Sequence, residues 1–448
     1  MYKKLLNLFF FIVISINVFS QSKWNSKKSK IVIPFELTHN LIIVDAEIND
    51  VKLNMLLDTG SDKSILFSFP ENDTIEFYDT KKIKINGLGN GESLEAFVSN
   101  NNKFKVKEYV DDKFQILLIT DQNINLVNKL GVPINGIIGS TFFKDFLVEI
   151  NYQKKKIILH KDNNKSILKL SNRYVKKDIE IVYEKPYINV VSNLNEQDGV
   201  QREFKLLVDT GLGDGLWLFE NDSIKCKDKF IIDILGRGLG GDIQGKRSRV
   251  ETLKLNNFVL ENALVSYPDS LSFSQLDIVK GRNGSLGGGI MKRFNWFLDY
   301  QNKKFYFRKN SNFNTPFNFN MSGIEIQHVG LIWISEKVGL AKQQLGYSNN
   351  LSNSSTNTFV FDKNIDFKYK FKLKPLFEIY AIRKDSPAYI VGLKVGDKIV
   401  KINGNEAYNY TIQKITDLFQ SEEGKTIKIE VDRKGVNMEF KFKLQKIL

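Results

Sequence analysis

Two short phrases in this chain put a carboxylate at the end of an apolar run. The first is Leu56-Leu57-Asp58-Thr59-Gly60-Ser61 and the second is Leu206-Leu207-Val208-Asp209-Thr210-Gly211. In each, an acid is followed by a hydroxyl and then by a residue without a Cβ. Such a glycine permits a tight turn and close approach by another backbone. One phrase of this kind is an ordinary strand-to-turn signal. Two of them allow Asp58 and Asp209 to face each other, and two close carboxylates cannot both ionise near neutral pH. A pair that shares one proton can take a proton from water with one member and donate with the other. Other reactive groups are scarce. The chain has three histidines (His39, His160, His328) and one cysteine, Cys226. That excludes an intramolecular disulfide, argues against a His/Cys zinc site and leaves Cys226 reading as an inert thiol. No metal or organic cofactor is implied.

Strands must hold these carboxylates. Ile31–Phe35 and Asn40–Val44 read as strands, and Val51, Leu53, Met55 and Leu57 fall on one face of another that ends at Asp58. Further on, Asn135-Gly136-Ile137-Ile138-Gly139 leads into a short helix and then a hairpin through Tyr152 and lysines. The same order returns as Asn283-Gly284-Ser285-Leu286-Gly287, with a hairpin through Tyr300. The register is kept: 209 − 58 = 151 between the acids, and 287 − 139 = 148 and 300 − 152 = 148 between the later markers. Units of about 150 residues are therefore duplicated.

Each unit also has a glycine-rich tip between extended runs: Gly87 and Gly89 in the first, Gly238 and Gly240 in the second. These read as hairpin tips, and functionally as flaps over a cleft. The second tip, Gly236 to Gly241, also fits G-x-G-x-x-G with Glu261 twenty positions on. A dinucleotide site needs a helix directly after it. Asp242-Ile243-Gln244-Gly245 has no helical apolar stripe, which argues against that reading.

The doubled phrase resembles the aspartic peptidases, and the short lobes resemble a fused pair of retroviral-type peptidase subunits over roughly residues 30 to 308. The resemblance implies a mainly β chain with two pseudo-symmetric retropepsin-like β-barrel lobes, one spanning 21–165 and the other 166–312. It implies Asp58 and Asp209 as catalytic acids acting on a peptide or protein substrate. Thr59 and Thr210 would buttress the turns, Gly60 and Gly211 would let backbone approach, and Ser61 would bond its Asp. The second lobe departs from the pattern by carrying Leu212 in place of a small or hydroxylated residue, and the first flap lacks the tyrosine of pepsin-like enzymes. A rival from another class is a catalytically silent binding protein that keeps the peptide cleft.

After Arg308 the composition changes, and Asn310–Asn320 reads as a linker. From Lys374 the order is a strand, Ser386-Pro387-Ala388, a short helix to Gly392, a Gly-Asp turn, a strand closed by Asn403-Gly404, a helix near 412–420 and two strands. This resembles a bacterial PDZ domain and implies an α+β module at 322–448. Its first strand lies at Gly323–His328, and an Asn/Ser-rich insertion loops out at about 331–370. Such a domain implies a C-terminal peptide ligand added to a sheet edge. By position, Leu376, Phe377, Glu378 and Ile379 would bind it. Pro375 removes a donor there, and the family's glycine-rich loop is missing.

The net charge of +14 comes from lysines spread along the chain. No basic stripe interleaves with aromatics, so nucleic acid is not an expected partner. Lys3 and Lys4, the apolar stretch Leu5–Phe19 and Val18-Phe19-Ser20 read as a signal peptide over 1–20. The expected location is periplasmic or extracellular, without stable membrane insertion once the leader is removed; a retained anchor is the alternative. No Cys sits at the cleavage point, which argues against a lipoprotein.

Overall fold

The computed structural model describes Trp24 and residues 27–70, 73–85, 94–120, 133–161, 173–194, 200–238, 240–274, 278–339 and 367–448, without the side chains of 337–339 and 367–368. The expected leader, the Gly87/Gly89 tip and the Asn/Ser-rich part of the insertion lie outside the described residues. The chain folds as two units. Apart from short segments, the first runs to Pro316 and the second covers Phe317–Leu448. The whole is mainly β.

The first unit uses strands β1 (Lys30–Pro34), β2 (Leu41–Ile48), β3 (Val51–Leu57), β4 (Gly136–Ile138), β5 (Leu147–Asn151) and β6 (Lys156–His160). It repeats their pattern with β7 (Val175–Asp178), β8 (Lys185–Asn193), β9 (Gln201–Asp209), β10 (Arg282–Gly287), β11 (Phe294–Asp299) and β12 (Lys304–Lys309). In one half β3 lies between antiparallel β2 and parallel β4. In the other, β9 lies between antiparallel β8 and parallel β10. These two trios sit in separate sheets, one per lobe. A third sheet has the order β1-β6-β5-β11-β12-β7, with the two halves meeting at the antiparallel β5–β11 pair. Three strands from each repeat thus make one symmetric layer.

Alternation explains the strands that carry the acids. On β3, Leu53, Met55 and Leu57 are buried while Lys52 is exposed. On β9, Gln201 and Glu203 are exposed before Leu206, Leu207 and Val208 sink into the core. Both strands become apolar on both faces just before the acid, as an interior strand requires. Beneath them the shared sheet is aromatic: Phe294, Trp296, Phe305 and Phe307 are fully buried, and Trp296 lies 5.0 Å from Phe307 between ring centroids. Each such side chain contributes about 1.5–3 kcal/mol by burial. The Asn310–Asn320 stretch is not a free tether at its start. The buried Arg293 guanidinium donates to the carbonyls of Asn312, Phe313 and Pro316, pinning that segment to the first unit.

The second unit has β13 (Ile324–Gly339), β14 (Phe367–Ile382), β15 (Lys398–Ile402), helix α1 (Ile412–Phe419), β16 (Thr426–Arg433) and β17 (Val436–Lys443). The sheet order is β13-β14-β15-β16-β17. Thr411 caps α1 by accepting from the Lys414 N–H at 3.2 Å, and Ser386 caps the short helical turn Pro387–Ile390. Arg433 holds the buried Asp397 bidentately, at 2.7 and 2.8 Å. One expectation needs correction. Residues 331–339 and 367–370 are not part of a looped-out insertion, because β13 and β14 stay paired from Ile324↔Ile382 to Gly339↔Phe367.

Candidate active site

The two Asp-Thr-Gly turns meet. Thr59 Oγ1 donates to the Val208 carbonyl at 2.6 Å and accepts from the Thr210 N–H at 3.1 Å. Thr210 Oγ1 donates to the Leu57 carbonyl at 2.7 Å and accepts from the Thr59 N–H at 3.0 Å. Four bonds therefore cross between the lobes, and both threonines are buried. Gly60 lies against Asp209: a Cβ placed on it would stand 2.7 Å from the Asp209 carboxyl carbon. Gly211 lies against Asp58 in the same way, at 2.7 Å from Oδ1. Real Cβ atoms do not approach so closely, so only glycine lets each turn reach the opposite acid.

The later phrase of each repeat supports these turns. Ser140 N–H donates to the Ser61 carbonyl, and Gly288 N–H donates to the Leu212 carbonyl, both at 2.7 Å. Asn135 Oδ1 accepts from Asn54 N–H at 2.9 Å, and Asn283 Oδ1 accepts from Lys205 N–H at 2.8 Å. The spacing of 148 between the phrases follows, because each must lie alongside its own turn.

Both acids are half-buried. Asp58 Oδ1 accepts from Gly60 N–H at 2.7 Å and Asp209 Oδ1 from Gly211 N–H at 3.0 Å. The two carboxyl groups are hydrogen-bonded to each other. Burial pushes Asp58 well above the usual carboxylate range; the negative charge of Asp209 and the bond between them push it further, against the Gly60 and Ser61 N–H groups. Burial also raises Asp209. There the Arg282 cation opposes it, followed by the bond with Asp58 and the Gly211 and Leu212 N–H groups. Both acids are thus raised and titrate as a coupled pair, with the Arg282 cation opposing the rise on the Asp209 side.

Ser61 supports Asp58 through its backbone N–H, while its hydroxyl donates to the Lys63 carbonyl at 2.7 Å. Leu212 offers Asp209 the same backbone group. The missing hydroxyl in the second phrase therefore removes nothing that the first uses on its acid. Gly238 closes the strand Ile231–Gly238, and Gly240 precedes the strand Gly241–Arg249; the two strands are sheet neighbours, so this tip is a hairpin. A strand, not a helix, follows the G-x-G-x-x-G match. The first tip is outside the described residues, but the flanking strands pair through Ile85↔Leu94. Cys226 is half-buried, and burial pushes its thiol up to about 11, which leaves little thiolate at neutral pH.

Three neighbours of the acids carried no site reading from sequence. Arg282 is one. Tyr187 is another, paired with Leu207. The third is Tyr300, whose buried phenol has no hydrogen-bond partner among the described residues and is pushed far up by burial and then by Asp58. The signal for Arg282 was the repeat itself: 282 − 148 = 134, and position 134 is an isoleucine.

In the second unit the expected peptide-binding residues are misplaced. Phe377 and Glu378 lie on β14, paired with β13 on one side and β15 on the other, and Phe377 and Ile379 are buried. Leu376, Phe377, Glu378 and Ile379 therefore present no open edge to a ligand strand. The edge strand next to them is β13.

Comparison with known proteins agrees on the second unit. A family described as PDZ domain matches residues 378–433, so the C-terminal unit contains a PDZ domain, a fold that binds peptides in general. No curated protein matches the chain. Among solved structures it is similar to an aspartic proteinase from Irpex lacteus, at 11% identity and a TM-score of 0.40, over 64% of this chain and 100% of that one.

Proposed function

We propose that this chain is an aspartic-type endopeptidase. The observation that carries the reading is the reciprocal placement of Asp58 and Asp209, each packed on the other lobe's glycine, at turns joined by four threonine hydrogen bonds. Asp209, as the anion, takes a proton from a water molecule as that water attacks an amide carbonyl. Asp58, as the acid, donates to the carbonyl oxygen. The proton gained by Asp209 then passes to the leaving nitrogen, the C–N bond breaks, and Asp58 is reprotonated from the hydroxyls of the collapsing intermediate. The products are one carboxylic acid and one amine, and no metal is called on. The pair titrates as a unit.

The PDZ domain, in this reading, adds a substrate or partner chain along the outer edge of β13. We also infer export, on the charged and apolar run Lys3–Phe19; amino-terminal sequencing of the protein recovered from the periplasmic fraction tests it. The activity is tested by incubating the purified chain with denatured protein over roughly pH 3 to 8. Fragments that vanish with either Asp58→Asn or Asp209→Asn support the reading. No cleavage anywhere in that range returns the chain to the class of silent peptide-binding proteins.

A further inference from the structure

In each lobe, the residue two places before the acid is the centre of a three-strand rung. Side chains alternate along a strand and neighbours in register share a face, so this rung flanks the carboxylate on its own side of the sheet. In the first lobe it is Ile43↔Leu56↔Ile137, entirely aliphatic. In the second it is Tyr187↔Leu207↔Ser285. Arg282 completes the difference, standing where the 148 offset places Ile134.

The Arg282 guanidinium is held but not neutralised. Its Nε donates to the Gly284 carbonyl at 3.0 Å and its Nη2 to Ser285 Oγ at 2.7 Å, and the group lies 5.3 Å from the Phe219 ring centroid. None of these partners is an anion. Among the described residues no carboxylate oxygen lies within 4.0 Å of it, and the groups whose charge acts on it are Tyr187 and then Asp209. Among the described residues Nη1 and one Nη2 proton have no acceptor. A half-buried cation without an ion-pair partner among the described residues is favourably completed by a ligand. A planar fork with free donors fits a carboxylate.

Resting on the peptidase reading, we propose that Arg282 is a specificity-determining residue. Its half-buried guanidinium, beside the buried second-lobe rung, takes an acidic side chain of the substrate next to the scissile bond, and the aliphatic first-lobe side takes an apolar one. Charges facing this point are those of Asp209 and Asp58 from the turns; Tyr187 brings its phenol from β8, and Lys205, on the same face of β9, is engaged by Glu180 at 2.6 Å.

The test uses four decapeptides with Leu on one side of the central bond and Glu, Gln, Leu or Lys on the other, each also made with the order reversed. The full chain should cleave a Glu peptide at least about 30-fold better by kcat/KM than its Gln twin. Arg282→Met should erase that preference, Arg282→Lys should keep part of it, and Arg282→Glu should move it to Lys. The same peptides are titrated against Asp58→Asn by fluorescence anisotropy, which needs no turnover. Preferential binding of Glu peptides without cleavage by the parent chain would sink the peptidase and leave the acidic pocket standing. Equal handling of Glu and Gln by the parent chain, in cleavage and in binding, overturns the role given to Arg282. Failure of every peptide to bind removes the cleft and this role together.

Discussion

The two lobes share a turn but not a wall. Asp58 and Asp209 receive the same backbone N–H bonds, the same threonine bridge and the same opposing glycine. Around them, the first lobe sets Ile43, Leu56 and Ile137, and the second sets Tyr187, Leu207 and Ser285 with Arg282 behind. The duplicate has kept what holds the acids together and changed what surrounds them. Chemistry that needs a shared proton constrains both turns equally, whereas recognition and proton placement are free to differ between walls.

The strongest break of this comparison is at the acids. Asp58→Asn and Asp209→Asn should each lower kcat by about 1,000-fold or more, because neither half works alone. Thermal melts of the same variants test the shared proton. Burial and Asp209 raise Asp58 in the fold, so its protonated form is stabilised there. That contribution is complete below the unfolded value and is lost as pH rises through the raised one. Asp58→Asn should therefore melt progressively higher than the parent as pH is taken from 4 to 8. A flat difference across that range contradicts the shared proton.

Next in size are the glycines. Gly60→Ala pushes a methyl into Asp209, and Gly211→Ala pushes one into Asp58. Each should cost about 1–3 kcal/mol of stability and most of the activity. Equal losses would confirm that the turns are interchangeable. Thr59→Val and Thr210→Val follow. Each leaves a buried N–H and carbonyl without their partner, costing about 1–3 kcal/mol, and Ser at either position should restore most of it.

Arg282→Met sharpens the contrast between walls. The cation opposes the rise of Asp209, so its removal lets both titrations of the pair move upward. The pH–kcat profile should shift as a whole toward higher pH, and the same change at Ile134, Ile134→Met, should not move it.

Much of this was legible before any coordinates. Asp-Thr-Gly, repeated at 151 with supporting glycines at 148, forces the two turns onto equivalent strands, and a local phrase is enough to mark a strand end. Arg282 was legible only by laying one repeat on the other, because a lone Arg in a strand has no signature of its own. The PDZ groove was misread for a different reason. The sequence around Leu376–Ile379 says strand, but whether a strand is an edge depends on its partners, and here β15 closes the open side. The Asn/Ser-rich stretch carries a loop signal that hides how far the hairpin of β13 and β14 extends. The hairpin's own alternation, with Leu331 and Trp333 in register with Pro375 and Leu373 and with Phe371 and Tyr369 further along β14, extends the pairing well past the domain's first strand.

The smallest expected effect settles the residue that most distinguishes the two phrases. Leu212 stands where the first phrase has Ser61, and a reading by residue type makes it the weak point of the second acid. The bonds say otherwise. Ser61 turns its hydroxyl to the Lys63 carbonyl, and both positions give their acid only a backbone N–H. Leu212 also packs against Trp217, Leu235 and Ile243, so it contributes to the second lobe's core. Leu212→Ser should therefore leave kcat within about threefold of the parent while lowering stability by about 1–3 kcal/mol, the cost of trading a partly buried apolar side chain for a hydroxyl. Ser61→Ala should be nearly silent in both measurements. A large gain of activity in Leu212→Ser would show that the second acid does lack a side-chain donor, and that the walls are not the only place where the lobes have diverged.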